Sequence, residues 1–472
     1  MPRTAHPLPY ALPLLLAALL LAGCASTAPD GAIAEVRERL GRERGEALQL
    51  AANEADETRR QAAVAELLAK PLDADGAVRL AMLNNHSVQA DLAELGVVQA
   101  DFAQSTRLAN PRFGFSRKQR GSEVEYERSY GLDILGVLTL PWRSEIESRS
   151  LEQARLGVAA RITTTALAAR KAWVQAVAAK QAASYQADVT DSAATGAELA
   201  KRMVAAGNYP QLSQQLAQLQ AAEAAMRQER AQQAALEAHE ALIRVLSLRR
   251  QDAAQLQLPE RLPDLPKSQR ELREIGPEAS EKRLDLEMAR REVEGLARSL
   301  GLTRTTRFIN VLEVSYLNNG SNEAAKQHGY ELSLELPLFD WGGARVAGAE
   351  ARYRQALNRA ADIGIQAESS LRASYAAYRS QYALAKRYQD EIVPLRKAIS
   401  DERQLRYNGM LISVFELMAD SREQAAVVMA ALDAQRDFWL ADADLELATT
   451  AGNPPSSNFS VGTASAETTA SH

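Results

Sequence analysis

The sequence lacks several features that would place it in common classes of protein. It has 472 residues and a single cysteine, Cys24, so no disulfide can form within one chain. The formal net charge is −5, and the chain therefore has no basic excess of the kind that indicates a nucleic-acid partner. After the first 23 residues no run approaches the roughly 20 apolar residues that a membrane-spanning helix needs.

Patterns typical of enzymes are also missing. The five histidines are scattered without the spacing of a metal site, and no Gly-x-Ser-x-Gly nucleophile motif occurs. Gly342, Gly343 and Gly348 follow a strand-like run, but their spacing is not that of a dinucleotide site, and no Walker-type phosphate loop is present. We therefore predict no enzymatic activity, no catalytic residue, no cofactor and no metal site.

The chain begins with features of an export signal. Arg3 supplies a positive charge, and residues 11–21 form an apolar run of signal-peptide length. The run ends in Leu21-Ala22-Gly23-Cys24, which resembles a bacterial lipobox and implies cleavage after residue 23 with diacylation of Cys24. No aspartate follows Cys24, which resembles lipoproteins sent to the outer membrane. The alternative is an ordinary secretory signal with an incidental cysteine.

Composition divides the chain after residues 1–23, the predicted signal peptide, into five segments. These are a charged, helical extension (24–75), a first repeat (76–257), a linker (258–277), a second repeat (278–452) and a tail (453–472). The linker contains Pro259, Pro263, Pro266 and Pro277, which break helices and favour extended chain. The tail is rich in Ser, Thr and Ala, and we predict that it is disordered.

The two repeats follow one plan: helix, two strand-like runs, proline, long helix, glycine break and return helix. Three pairs of landmarks, Ser87 with Asp285, Pro141 with Pro337 and Gly207 with Gly409, lie 198, 196 and 202 residues apart. A nearly constant offset over separate landmarks indicates internal duplication.

Four strand-like runs, two in each repeat, place apolar residues on one face. The apolar positions are Phe113 and Phe115; Tyr130, Leu132 and Ile134; Leu312, Val314 and Tyr316; and the alternating run 330–336. Such alternation fits a barrel wall between lipid and water. Four strands cannot close a barrel, and open edges cannot face hydrocarbon, so membrane-spanning strands would require several chains to share one barrel. The alternative is a soluble pair of hairpins packed on helices.

Long helical patterns follow the strand pairs. They cover residues 142–206 and 343–408, with a kink or break expected at Pro394, and the return helices cover residues 211–248 and 413–449. At 1.5 Å per residue, the first long helix would reach roughly 100 Å. The first return helix has an apolar seam, and the second has coiled-coil spacing from Val414 to Leu432. The seam on the first return helix consists of Leu212, Leu216, Leu219 and Met226.

One segment carries a specific resemblance. Residues 336–345, Leu-Pro-Leu-Phe-Asp-Trp-Gly-Gly-Ala-Arg, resemble the strand-to-helix junction of TolC-family outer-membrane factors. In such a junction Pro337 would end the strand, Asp340 would cap the helix, and Gly342 and Gly343 would permit a tight turn. Pro141 would mark the corresponding junction of the first repeat. Residues 407–409, Tyr-Asn-Gly, resemble the family's second hairpin tip, and the resemblance covers about residues 76–450.

The resemblance implies a mainly α-helical fold with a small β part. Long antiparallel coiled-coil helices would form a periplasmic tunnel, and three chains would each give four strands to a twelve-stranded outer-membrane β-barrel. The protein would be a lipid-anchored homotrimer in the outer membrane of a Gram-negative bacterium, extending into the periplasm. It would serve as a passive duct for small molecules or metal ions, with a periplasmic adaptor protein and an inner-membrane pump of the RND type.

The residues expected to meet the adaptor are those of the two hairpin tips: Gly207, Asn208, Tyr209, Gly409, Met410 and Leu411. Two other functions stay open at this point. One is the outer duct of a type I protein secretion system, and the other is a structural coiled-coil envelope lipoprotein without a pore.

Many members of the family carry aspartates six and nine positions after the second tip glycine, around the closed periplasmic entrance. Here those positions are Phe415 and Met418, and the nearby acidic residues are Glu416 and Asp420. These four residues are the candidates for the periplasmic aperture. We predict an apolar constriction that Phe415 lines.

Overall fold

The computed structural model describes residues 30–41, 45–306, 308, 312–334 and 339–452. Cys24, Pro337 and the predicted disordered tail lie outside the described residues. The described chain divides into two compact units. We call residues 30–35, 94–154 and 294–353 the sheet unit, and residues 36–93, 155–293 and 354–452 the helical unit.

The first repeat and the extension before it contain six helices of more than ten residues and two strands. They are α1 (Asp30–Leu40), α2 (Glu54–Leu68), α3 (Ala74–Asn84), α4 (His86–Ser105), β1 (Arg112–Arg120), β2 (Glu123–Asp133), α5 (Ile134–Ala205) and α6 (Gln211–Leu246). The short helix α7 (Arg250–Ala253) follows. The second repeat contains α8 (Leu272–Lys282), α9 (Leu284–Thr306), β3 (Leu312–Ser321), β4 (Gln327–Leu334), α10 (Gly343–Arg387), α11 (Val393–Asn408) and α12 (Val414–Thr450). The order of elements repeats, as the sequence predicts.

Both repeats begin with a helix that breaks at a residue in extended conformation. These residues, Asn85 and Arg283, lie 198 residues apart, the offset found in the sequence. Each side chain binds the end of its return helix. The Asn85 amide nitrogen donates to the Val245 carbonyl at 2.6 Å, and the Arg283 guanidinium donates to the Ala448 carbonyl at 2.8 Å. The second repeat thus replaces a neutral donor with a charged one, and the buried Asp285 carboxylate balances it at 2.6 Å.

An aromatic side chain of each long helix also forms a hydrogen bond to a preceding segment of the chain. The indole nitrogen of Trp173 donates to the Leu72 carbonyl at 2.7 Å, and the Tyr375 hydroxyl accepts from the Leu272 amide at 3.1 Å. Trp173 and Tyr375 are 202 residues apart. Trp173 lies in an apolar core with residues of α2, α3 and α6, so the extension belongs to this core.

The second long helix is interrupted before Pro394, as the sequence predicts. A π-helical turn, Tyr388–Ile392, separates α10 from α11. A π turn holds one residue more than an α turn. The offset between the repeats is 202 residues at Trp173 and Tyr375, and it becomes 203 residues where α5 and α11 end, at Ala205 and Asn408. The π turn therefore accommodates the residue that the second repeat has gained.

Two predictions from proline are wrong. Pro141 does not mark a strand–helix junction, because β2 ends at Asp133 and Pro141 lies inside α5. The helix starts early because the Asp133 carboxylate accepts the Gly136 amide at 2.8 Å and so caps the helix where the strand ends. Ile134, predicted in the strand, is the first residue of this helix. Pro277 lies within α8, so the extended linker ends at Glu271.

Candidate functional site

The four strands form one antiparallel sheet in the order β1-β2-β3-β4, and its register separates two chemically different faces. One row of aromatic residues crosses all four strands: Phe113, Tyr130, Tyr316 and Tyr330 are successive cross-strand partners. The ring centroids of Phe113 and Tyr130 are 5.1 Å apart, and those of Tyr316 and Tyr330 are 5.6 Å apart. Such pairs stabilise a sheet.

The face that carries this row is largely apolar and open to its surroundings, and Arg117 and Arg128 are its charged residues. Tyr330 is 84% exposed, although a large aromatic side chain usually gains by burial. The other large apolar residues exposed on the same face are Phe113, Phe115, Tyr126, Tyr130, Leu132, Val314, Leu332 and Leu334. An apolar patch of this extent on a sheet marks a surface made for lipid or for another protein.

The opposite face is polar and mainly acidic. Its charged residues are Arg112, Lys118, Arg120, Glu123, Glu125, Glu127, Asp133, Glu313 and Glu331. Ion pairs join Arg112 to Glu313 at 3.0 Å and Lys118 to Glu127 at 2.6 Å. A sheet with one apolar and one charged face fits a wall between hydrocarbon and water. Among the residues that the structure describes, one side of β1 and one side of β4 have no strand partner.

At the junction into α10, the structure describes Asp340 and the two glycines. The Asp340 carboxylate accepts the Gly342 amide at 2.8 Å, and Gly342 has a left-handed backbone with φ of 71°. A side chain would strain this conformation, which explains the glycine. Helix α10 begins at Gly343.

The first hairpin tip closes α5 with a Schellman motif. The Asn208 amide donates to the Met203 carbonyl at 3.0 Å, and the Gly207 amide donates to the Val204 carbonyl at 2.9 Å. Gly207 takes the left-handed conformation that this motif requires, with φ of 74°.

The second tip closes α11 with the same motif, but a different residue is left-handed. The Leu411 amide donates to the Arg406 carbonyl at 2.8 Å, and Met410 has φ of 58°. The structural equivalent of Gly207 is therefore Met410, and the predicted match with Gly409 is off by one residue. Met410 is 93% exposed, so an apolar side chain in a strained conformation stands at this tip.

Two of the four aperture candidates contact the first repeat. The rings of Phe415 and Tyr209 stack with centroids 4.1 Å apart. Met418 lies against Gly196 of α5, where a Cβ would overlap the Met418 methyl group. The two tips are thus joined within one chain by an aromatic stack and a methionine seated on a glycine. Gly196, which the sequence analysis did not single out, is a helix-interior glycine, and that position is the signal that indicates close approach.

The other two candidates belong to contacts within the second hairpin. Ser413 and Glu416 form a capping box at the start of α12, and hydrogen bonds from the Ser413 amide and hydroxyl lower the pKa of Glu416. Asp420 is 1% exposed, and its carboxylate binds Arg396 at 2.5 Å and Arg403 at 3.1 Å.

The Ser400 hydroxyl also donates to Asp420. We call Arg396, Ser400, Arg403 and Asp420 the buried carboxylate cluster. The sequence gives no signal for it, because Asp420 and its partners are 17 to 24 residues apart on opposite sides of a turn.

Within the described residues, no helix combines the length and apolar character needed to cross a membrane. The same residues contain no group of three or more potential metal ligands close enough to hold an ion.

Comparison with family models gives no match, and comparison with curated proteins gives none either. Solved structures do match. VceC, an outer membrane protein of Vibrio cholerae, is 15% identical, with 84% of this chain and 98% of VceC covered and a TM-score of 0.64. The outer membrane channel MtrE of Neisseria gonorrhoeae, in its open state, is 16% identical, with 80% and 88% covered and a TM-score of 0.62.

CusC, described as forming a transmembrane channel, is 14% identical, with 80% of this chain and 92% of CusC covered and a TM-score of 0.64. At these identities the likeness concerns the fold. The predicted combination of long helical hairpins with a four-stranded sheet is confirmed, and the chain has the fold of the TolC-type outer-membrane channels.

Proposed function

We propose that this protein is a subunit of an outer-membrane duct of a tripartite efflux system and not an enzyme. The observation that carries the proposal is the sheet with one exposed apolar face, one acidic face and two unpaired edges. Unpaired backbone groups cannot face hydrocarbon, because each would cost several kcal/mol. Three chains would satisfy every edge by closing a twelve-stranded barrel, with the apolar faces toward lipid and the acidic faces toward the lumen.

Conductance in a planar bilayer tests the duct. The purified wild-type protein should form a trimer and give discrete conductance steps. Replacing Leu332 on the apolar face by lysine should abolish insertion, because a cation there costs about 2–4 kcal/mol near the bilayer midplane. Ser333→Lys, on the neighbouring position of the polar face, is the matched control and should still conduct. Absence of conductance from wild-type trimers would refute the proposal.

The lipid anchor is a separate part of the proposal. The lipobox supports diacylation of Cys24, which would hold the chain at the outer membrane together with the barrel. Labelling of growing cells with palmitate should mark the wild-type chain and leave Cys24→Ala unlabelled. Equal labelling of both chains would contradict the anchor.

We propose that the two hairpin tips bind a periplasmic adaptor protein that connects the duct to an inner-membrane pump of the RND type. The exposed Met410 and Leu411 support this assignment, because apolar side chains at a tip are suited to a protein contact. Replacing both by serine should weaken co-purification with the adaptor and leave conductance in bilayers unchanged. Deletion of the gene separates efflux from protein secretion. A strain that becomes sensitive to copper, silver, drugs or detergents indicates efflux, whereas a strain that loses secreted proteins from its medium indicates secretion.

We infer that Phe415 narrows the periplasmic aperture through its stack on Tyr209. The stack holds the Phe415 ring of the second hairpin against Tyr209 at the tip of the first hairpin. The contact of Met418 with Gly196 holds the next turn of α12 against α5. Phe415→Ala should therefore raise ion leak through trimers without adaptor. Leu417→Ala, two positions along the same helix, is the control and should not. Unchanged leak in Phe415→Ala would count against the assignment.

A further inference from the structure

The two ends of the sheet differ in their connections. Helices precede β1 and β3 and follow β2 and β4, so all four connections to helices lie at one end of the antiparallel sheet. The other end consists of the two hairpin turns, residues 121–122 and 322–326, and we call it the turn end. The turns are joined, because the Asn322 side-chain amide donates to the Ser122 carbonyl at 2.8 Å. In the proposed duct the helices extend into the periplasm, so the turn end would face the cell exterior.

The largely apolar face changes its chemistry along the strands. From the helices to the row of four aromatic residues, its described strand positions carry apolar or aromatic side chains, such as Leu132, Val314 and Leu332. Beyond the aromatic row, two mixed rows follow toward the turn end. They are Phe115, Arg128, Asn318 and His328, and then Arg117, Tyr126 and Gly320. The aromatic row therefore separates an apolar zone from a zone that carries two arginines.

The two arginines lie on the face that carries no acidic strand residue. The acidic residues of the four strands all belong to the opposite face: Glu123, Glu125, Glu127, Asp133, Glu313 and Glu331. Arg117 and Arg128 are both exposed. Among the residues that the structure describes, neither arginine has an acidic side chain within ion-pair distance, whereas Arg112 and Lys118 of the opposite face both have one.

The two guanidinium groups are close enough to share one anion. Arg117 is paired with Tyr126 and Arg128 with Phe115, so the two arginines are diagonal neighbours on β1 and β2. Diagonal neighbours have their Cβ atoms about 7 Å apart. Two cations at this distance repel each other, and an anion between them converts the repulsion into attraction to both.

The arginines also lie at the depth of lipid headgroups. A strand rises about 3.4 Å per residue, and the strands of a membrane barrel tilt by about 40°. Arg128 lies two residues beyond Tyr130 and Arg117 four residues beyond Phe113, which places them about 5 and 10 Å outside the aromatic row. Aromatic rows lie at the membrane interface, and the headgroup layer is roughly 5–8 Å thick on each side. Because arginine side chains are long and flexible, both guanidinium groups reach that layer.

We propose that Arg117 and Arg128 together bind a phosphate monoester on the headgroup of a glycolipid in the outer leaflet. A phosphate monoester carries a charge of roughly −1.5 to −2 at pH 7, so it balances two guanidinium groups better than the single charge of a phosphodiester lipid does. Each guanidinium can donate two parallel hydrogen bonds to phosphate oxygens. The acyl chains of the lipid would cover the apolar zone on the other side of the aromatic row. The inference rests on the proposed duct, which sets the direction of the turn end.

Binding of lipid A, a glycolipid with two phosphate monoesters, to the full-length protein in detergent tests the site. Native mass spectrometry counts the bound lipid over a titration. Arg117→Gln with Arg128→Gln should weaken binding about tenfold or more, because it removes the charge-assisted hydrogen bonds. The matched control, Lys118→Gln with Arg120→Gln, removes two cations from the opposite face of β1 and should bind like the wild type. An arm that needs no variant compares lipid A with its fully dephosphorylated form, which the wild type should bind about tenfold more weakly.

Two competitors identify the source of the phosphate. Neither phosphatidylglycerol at the concentration of lipid A nor millimolar inorganic phosphate should displace lipid A. Displacement by phosphatidylglycerol would overturn the preference for a monoester, and displacement by inorganic phosphate would overturn the lipid as the ligand.

The remaining outcomes separate the site from the duct. Unchanged lipid A binding in Arg117→Gln with Arg128→Gln trimers that still conduct would refute the site and leave the proposed duct intact. An equal loss of binding in the control would show general charge attraction and would also refute the site. Failure of the wild-type protein to form trimers or to conduct would refute the duct itself.

Discussion

Replacement of Asp420 by alanine should destabilise the helical unit strongly. The carboxylate is buried and binds Arg396 at 2.5 Å, and the Arg396 side chain is only 11% exposed. Removing one partner of a buried ion pair costs about 3–5 kcal/mol, because the remaining charge is left without compensation. In the variant, the Arg396 guanidinium still binds the Glu423 carboxylate at 3.1 Å, and Arg403 can be solvated by water. We therefore expect the free energy of unfolding to fall by about 2–4 kcal/mol.

Glu423→Ala is the matched control, because it removes the other carboxylate that binds Arg396. Its side chain is 62% exposed, and exposed ion pairs contribute about 0–1 kcal/mol. Guanidinium unfolding in detergent at neutral pH, followed by the far-ultraviolet circular dichroism of the helices, measures both midpoints. Equal midpoints for Asp420→Ala and Glu423→Ala would refute the reasoning.

Asp420→Asn separates two roles for this residue. A carboxylate that lines the aperture would change ion selectivity on replacement by asparagine and leave stability unchanged. A carboxylate that joins α11 to α12 would lower the unfolding midpoint instead. The buried carboxylate cluster leads us to expect a lower unfolding midpoint. A change in ion selectivity without a change in stability would support the assignment of Asp420 to the aperture instead.

Three further changes follow from particular residues. Met410→Gly should raise the free energy of unfolding by up to about 1 kcal/mol, because it relieves a left-handed conformation, whereas Gly207→Ala should lower it by about 1 kcal/mol. The thermal midpoints of the two variants should therefore shift in opposite directions, and shifts of the same sign would contradict this. Arg60 lowers the pKa of Glu57 to about 2 from 4.5, so the stability from Glu57 is present above about pH 4.5 and is lost as the pH falls toward 2; Glu57→Gln should flatten this loss in acid unfolding curves. Arg283→Leu should cost about 3–5 kcal/mol in denaturant unfolding, because it removes the buried guanidinium that pairs with the buried Asp285 carboxylate, and a wild-type midpoint would contradict it.

The duplicated plan could be predicted from the sequence because its landmarks are local. A helix break, a strand with alternating residues and a glycine at a helix end each leave a mark within a few residues. The interruption before Pro394 was therefore placed correctly, whereas the helix breaks at Asn85 and Arg283 were not predicted. The lipobox and Pro337 carry predictions that lie outside the described residues.

Proline does not mark the start of a helix where a stronger local contact decides the structure. At the end of β2, the Asp133 carboxylate caps a helix that starts seven residues before the proline expected to begin it. A proline in a long helix removes one backbone donor, and the other hydrogen bonds of a 72-residue helix tolerate that loss. A proline after a strand marks the start of the following helix only where no residue before it caps the helix.

The match of the two tips failed by one residue for a related reason. Gly207 and Gly409 are the matching glycine breaks in the sequence, and glycine adopts a left-handed conformation without strain. In the second tip Met410 takes it, and Gly409 stays at φ of −79°. A sequence pattern indicates the residue that adopts a conformation with the least strain. A residue in a strained conformation, such as Met410, is seen only in the structure.

The aperture candidates show what sequence spacing cannot supply. Phe415 and Met418 were placed by their distance from a glycine, but their partners, Tyr209 and Gly196, are more than 200 residues away in the chain. Contacts between repeats depend on which helices become neighbours. No local pattern contains that information, so the candidates were found without the contacts that give them a role.

A duplicated chain that closes a ring has two kinds of junction, and physical reasoning predicts that they differ. Within the chain the repeats meet at β2 with β3 and at α5 with α12, and the linker holds them together. Tethering raises the effective concentration of the partners, so small residues and ion pairs such as Arg170 with Glu446 suffice there. Separate chains must also offset the loss of translational and rotational freedom on association, which demands a more apolar contact. In the described part of the helical unit, exposed leucine and isoleucine lie mainly on α6, α10 and α11, whereas α5 and α12 carry only Leu199, which is the distribution that the proposed duct would require.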